Sequence, residues 1–162
     1  MKVEAKQKIT PFLWFNSQAE EAMNFYTSVF KNAAIKHTSR YGEGMPLPKG
    51  TLMAGTLEIE GQDFYLLNGG PPYSFTPAIS FLVNCETQDE VDHLWGKLTD
   101  GGSEQPCGWL KDKFGLSWQI IPSTLGKLMG DKNPVKAQNV MQAMFKMCKI
   151  DIKTLQEAYD KA

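Results

Sequence analysis

The sequence lacks most of the features that would tie it to a common function. Lysine and arginine together number 17 against 18 aspartates and glutamates, for a net charge of −1. No excess of positive charge is available to displace counterions from a nucleic acid, so no nucleic-acid partner is expected. No apolar run approaches the roughly 20 residues of a membrane span, and no signal peptide is recognised ahead of Ile9. The three cysteines, Cys85, Cys107 and Cys148, form neither a Cys-x-x-Cys pair nor a disulfide-dense spacing, which fits a reducing cytoplasm. There are two histidines, His37 and His93, and neither has ligand spacing. The glycine pairs Gly42-x-Gly44, Gly69-Gly70 and Gly101-Gly102 fall between expected antiparallel strands or after a helix. A Gly-rich cofactor loop belongs between a strand and a helix start, and none is there. P-loop, Gly-x-Ser-x-Gly and His-Glu-x-x-His signatures are also absent.

What is present is a short design used twice. Phe12-Leu13-Trp14 runs into Ser17-x-x-Glu20 and then Ala22, Phe25, Tyr26 and Val29; Phe81-Leu82-Val83 runs into Thr87-x-x-Glu90 and then Val91, Leu94, Trp95 and Leu98. At one constant offset Phe12 meets Phe81, Leu13 meets Leu82 and Glu21 meets Glu90. Each copy reads as a strand, a capping box and an amphipathic helix with apolar residues at i, i+3, i+4 and i+7. With 42% apolar and 22% charged residues over 162 positions, the chain has ordinary globular composition, enough for one domain or two fused half-domains.

Strands are expected over 9–15, 33–41, 51–60 and 64–68 in the first half, with Gly61-Gln62 as a tight turn, and over 78–85, about 104–110 and 116–121 in the second. The halves are then 9–69 and 78–122, joined by a Gly/Pro-rich linker over 70–77. Residues 1–8 read as a loose polar tail, and 123–162 as a helical extension. Val140, Met141, Met144, Phe145 and Cys148 give this extension one apolar stripe, read as core or subunit packing; Leu155, Ala158 and Tyr159 give it another. A turn is expected over Lys111 to Gly115, and Asp112 is expected to shape it before Gly115.

Pro11-Phe12-Leu13-Trp14-Phe15, Ala19-Glu20-Glu21-Ala22 and Phe25-Tyr26 look like the opening of the PhnB-like proteins. Gly108-Trp109-Leu110, Asp112-Lys113-Phe114-Gly115 and Ser117-Trp118-Gln119-Ile120 look like their last hairpin. With the order strand–helix–three strands used twice, the chain resembles the vicinal oxygen chelate superfamily, which includes glyoxalase I, extradiol dioxygenases and bleomycin- and fosfomycin-resistance proteins. The resemblance covers roughly residues 8–160. It implies an α+β fold in which two βαβββ modules form a curved, mainly antiparallel sheet around a cavity, with extra C-terminal helices, and it implies a homodimer. Members of this branch often carry the label 3-demethylubiquinone-9 3-methyltransferase, which the absence of a Gly-rich cofactor loop does not support.

In the superfamily's metal-using members, a His or Glu from each of four strands holds a divalent ion that acts as a Lewis acid. Carried over residue by residue, those positions fall on Pro11, at or near Asn68, on Ala78 or Ser80, and on Gln119. That set has no imidazole and no carboxylate, and neutral amides are poor ligands for transition metals, so neither a metal nor another cofactor is expected. Asn68 and Gln119 either orient a polar ligand or satisfy backbone groups at strand ends. By alternation Leu13, Phe15, Phe64, Leu66, Ser117 and Gln119 share the cavity side, while Phe12, Trp14, Trp118 and Ile120 face the helices. Trp109 offers a stacking wall, and Cys107, with the same parity, is a nucleophile only if its pKa is lowered. The expected ligand-contacting set is Phe15, Phe64, Asn68, Cys107, Trp109, Ser117 and Gln119; no catalytic residue is identified. Three functions follow: a metal-independent small-molecule binding protein that sequesters or senses an aromatic or apolar compound; an enzyme (lyase, dioxygenase, isomerase or transferase) of the same superfamily; or a scaffold with a vestigial cavity.

Overall fold

The computed structural model describes residues 7–161; of the expected N-terminal tail, residues 1–6 lie outside the described residues. The chain divides into two compact units between Ser74 and Phe75. The first unit contains β1 (Phe12–Phe15), α1 (Ala19–Val29), β2 (Ala33–Arg40), β3 (Leu52–Ile59) and β4 (Gln62–Asn68). Its sheet order is β1-β4-β3-β2, with β1 parallel to β4 and the other pairs antiparallel. The second unit repeats this plan with β5 (Ser80–Cys85), α2 (Gln88–Thr99), β6 (Ser103–Glu104), β7 (Trp109–Lys111) and β8 (Ser117–Pro122), in the order β5-β8-β7-β6. The fold is therefore α+β, with two βαβββ modules.

The helix faces follow the apolar periodicity. Val91, Leu94, Trp95 and Leu98 of α2 are all buried, as are Ala19, Ala22, Met23, Tyr26 and Val29 of α1. Thr87 caps α2 as expected: its side chain accepts from Glu90 N at 3.2 Å, and the Glu90 carboxylate accepts from Glu86 N at 2.8 Å. The α1 start departs from expectation. Its N-cap position is Gln18, with no side-chain cap, and the Ala19 amide donates instead to Asn68 Oδ1 at 2.8 Å, from the far end of β4. The β3–β4 turn lies one residue earlier than expected, on Glu60-Gly61, both at positive φ (49° and 80°), which is the geometry that a two-residue hairpin favours.

In the second unit three further helices, α3 (Ser123–Met129), α4 (Pro134–Met144) and α5 (Ile152–Asp160), enclose a core of Leu125, Val140, Ile150 and Leu155. The expected Met-rich stripe is cut short. Helix α4 ends at Met144, so Phe145 and Cys148 lie in the exposed connection to α5.

Candidate functional site

The seven expected ligand-contacting residues fall into three environments. Phe15, Phe64 and Asn68 lie on the helix side of the first sheet, which corrects the facing inferred from alternation. A Cβ added at Gly55 would come within 2.6 Å of the Met23 methyl of α1, so the Gly55 side of β3 faces that helix. Gly55 pairs with Leu66 and Leu57 with Phe64, while Leu13 and Phe15 of β1 pair with Leu66 and Asn68 of β4. All of these side chains are buried, whereas Phe12, on the opposite face, is 59% exposed and meets the Tyr65 ring edge-on. Asn68 is fully engaged there. Besides accepting from Ala19 N, it donates through Nδ2 to Leu52 O at 3.0 Å, so its amide satisfies backbone groups at a strand end.

Cys107 leaves the strand altogether. The expected strand over 104–110 is two short pieces, β6 and β7, separated by a loop in which Cys107 has φ 63°. Its amide donates to Met147 O at 2.9 Å, and its thiol lies 3.9 Å from Met144 O. The thiol is thus directed at the end of α4, away from the parity shared with Trp109.

The remaining three, Trp109, Ser117 and Gln119, share one face of the second sheet. Trp118, Ile120 and Cys85 belong to the opposite parity, are buried, and share it with Leu110. The Trp118 indole donates at 2.9 Å to Asp112 Oδ2, and Asp112 Oδ1 accepts from Phe114 N and Leu116 N, which fixes the β7–β8 turn. On the other face the ladder sets Leu82, Gln119 and Trp109 directly opposite one another across β5, β8 and β7. Leu82 is half exposed, and Gln119 and Trp109 are partly so. Gln119 Nε2 donates to Ser80 Oγ at 2.9 Å. The adjacent row is Ser80, Ser117 and Lys111. Ser117 is fully buried, and among the described residues its hydroxyl has no hydrogen-bond partner. Lys111 was read from the sequence as part of a turn; only the register places it beside Ser117.

Two βαβββ modules in one chain define the class: this is the vicinal oxygen chelate fold. Residues 7–121 match the family described as 3-demethylubiquinone-9 3-methyltransferase, and the chain belongs to that PhnB-like family. A PhnB protein from Bacillus cereus is 41% identical with a TM-score of 0.68, and the match covers 72% of this chain and 100% of that one. Protein PA1353 from Pseudomonas aeruginosa is similar at 22% identity and TM-score 0.60, over 72% of this chain and 98% of that one. The fosfomycin resistance protein FosX from Listeria monocytogenes, solved with Mn(II) and sulfate, is similar at 16% identity and TM-score 0.52, over 70% and 89% of the two chains. At those identities the last two show the fold alone. No curated protein matches the sequence.

Three of the four ligand positions that the resemblance implies, Pro11, Asn68 and Gln119, do not fit a metal ion. Proline offers no side-chain donor at position 11, both ends of the Asn68 amide are held by backbone, and Gln119 is a neutral amide bonded to Ser80. Among the described residues, no group of three or more His, Cys, Asp or Glu side chains could hold a metal, and His37 and His93 are both exposed. The connections that lead from strand to helix, Asn16-Ser17-Gln18 and Glu86-Thr87, contain no glycine, and β8 runs directly into α3. The backbone cradle of a dinucleotide-type cofactor loop has no counterpart at these turns. Among the described residues, no helix is long and apolar enough to cross a membrane.

Proposed function

We propose that the protein is a metal-independent binding protein that sequesters or senses a small, flat aromatic or apolar compound, and that the face of the second sheet opposite α2 receives it. One observation carries this: Leu82, Gln119 and Trp109 stand in a single cross-strand row, all partly open. An apolar side chain, an amide and an indole in line offer a stacking surface with one polar handle, the usual composition of a small-molecule site. The donor set described above supports a metal-free mode, and the glycine-free strand–helix turns support binding over methyl transfer. We further propose that the protein works as a homodimer in the cytoplasm.

Isothermal titration with a panel of aromatic compounds, followed by chromatographic recovery of each compound, tests the function. The expected result is saturable binding, unchanged compound, and an affinity about tenfold weaker in Trp109→Ala, the scale of one aromatic contact. Conversion of the compound would make the protein an enzyme. A tightly held ion per subunit, found by elemental analysis after soaking with nickel, zinc, manganese or iron, would overturn the metal-free mode.

A further inference from the structure

We infer that the ligand of this face is an aromatic acid, with its anionic oxygens received by Lys111, Ser117 and Ser80 while its ring lies along Trp109. The inference rests on the binding function proposed above and adds the chemical class of the ligand. The two rows of the face differ in chemistry: Leu82–Gln119–Trp109 is apolar and flat, and Ser80–Ser117–Lys111 carries two hydroxyls and an ammonium group.

Three features of the second row point to an oxyanion. The Ser117 hydroxyl is buried without a partner among the described residues, and a buried polar group left unbonded is costly until something bonds to it. Ser80 Oγ already accepts from Gln119, so the proton of its own hydroxyl remains to be donated outward. Lys111 is only partly buried, and among the described residues its ammonium group has no carboxylate within ion-pairing distance. Two hydroxyl donors and a cation match a carboxylate, which only accepts, better than a neutral carbonyl, since bonds to ionised acceptors are the stronger ones. The neighbouring carboxylates are turned elsewhere. Asp112 faces the Trp118 indole, and Glu104 accepts from the Trp95 indole at 2.8 Å. Lys111 pairs with Ser117 in the ladder, and its long flexible side chain lets the ammonium group reach a ligand oxygen beside the hydroxyl.

The test pairs 1-naphthoate with 1-naphthamide, which share a ring system and differ in charge, in titrations of the full chain. The acid is expected to bind about tenfold more tightly, as charge-assisted bonding implies. That preference should shrink as salt is raised, disappear in Lys111→Met and persist in Lys111→Arg. Ser117→Ala separates a ligand role from a structural one. It should leave thermal stability unchanged or raised, because the hydroxyl has no partner to lose, while weakening naphthoate binding several-fold. Equal affinities for acid and amide, or a preference that survives Lys111→Met, would overturn the inference and leave the binding function standing. Failure of both probes and of every other aromatic compound would remove both. The salt series on the unaltered protein gives the same discrimination if a variant does not fold.

Discussion

Asn68 offers the sharpest perturbation, because the family resemblance reads it as a ligand position and the structure makes it a fold-determining one. Its side chain is 1% exposed and joins three elements: Oδ1 accepts from the first amide of α1, and Nδ2 donates to the Leu52 carbonyl at the start of β3. In Asn68→Ala both partners are stranded, since Ala19 and Leu52 are themselves fully buried. Each unsatisfied buried group costs about 1–3 kcal/mol, so a loss of about 2–6 kcal/mol is expected, a large share of a small domain's stability. The assay is urea denaturation combined with hydrogen exchange at the α1 amides, which reports the first unit even if the two units open separately. A loss below about 1 kcal/mol, with unchanged α1 protection, would refute the structural role and return Asn68 to the ligand set.

Asn68→Asp refines the test through pH. The introduced carboxylate still accepts from Ala19 N, but it also sets a charged oxygen against the Leu52 carbonyl where a donor had been. Only the protonated form can donate there, so the group's folded-state pKa is raised above its unfolded value of about 3.9. Stability should therefore be greatest below that value and decline as pH rises through the folded pKa. The unaltered protein should show no such slope over the same range.

The two helix starts give a paired control: Thr87→Ala should cost about 1 kcal/mol, whereas Ser17→Ala should change little, measured by thermal melting. Asp112→Ala removes the acceptor of three donors and should cost about 3–5 kcal/mol; Asp112→Asn keeps the two amide bonds, opposes the Trp118 indole, and should cost about half as much, read in the same way. The cysteines should react with a disulfide reagent at pH 8 in the order Cys148 (exposed), then Cys107 (half-buried), with Cys85 protected until unfolding. Burial, with Glu90 and Glu86 nearby, pushes the Cys85 thiol up to about 12. The folded state thus holds its proton longer than the unfolded chain, so stability is fully present below the unfolded pKa of about 8.5 and is lost as pH rises towards 12. Cys85→Val should flatten that decline in alkaline urea titrations.

How much of this was legible differs by element, and the reason is local. Helix faces could be read because their period is self-contained: Val91, Leu94, Trp95 and Leu98 are apolar at helical spacing and all turn inward. Strand facing could not, because it is decided by packing across the sheet. Phe12 stands seven residues before Ala19, where α1 starts, and Phe81 seven before Gln88, where α2 starts, so the spacing to the helix is the same in both units. An alignment that matches Phe12 with Phe81 is right about residue type and wrong about direction, since period-2 alternation does not say which of the two faces is buried. Phe81 sits on the inner face, against the Trp118 ring, while Phe12 points away from α1. Leaving Leu13 and Phe15 outside instead would forfeit the burial of two large side chains, about 3–6 kcal/mol, so packing overrules the apparent repeat.

The residue at the N-cap position accounts for the division of labour between the units. In the first unit that position is Gln18, with Ser17 one residue ahead of it, and the helix start is satisfied by an amide that lies 49 residues away in sequence, a partner no local motif announces. In the second unit Thr87 caps α2 from within its own connection. No β8 amide is drawn to that helix start, and Gln119 stays on the open face beside Ser80. Cys107 and Lys111 changed meaning for a related reason, because short β6 and β7 leave the first in a left-handed loop and bring the second into the ladder opposite Ser117. The two amides at the ligand positions that the resemblance implies are therefore not equivalent: Asn68 is held by the backbone of its own unit, whereas Gln119 keeps a polar edge beside an indole and beside the Lys111 ammonium group and the Ser117 hydroxyl, which have no ion-pair or hydrogen-bond partner among the described residues.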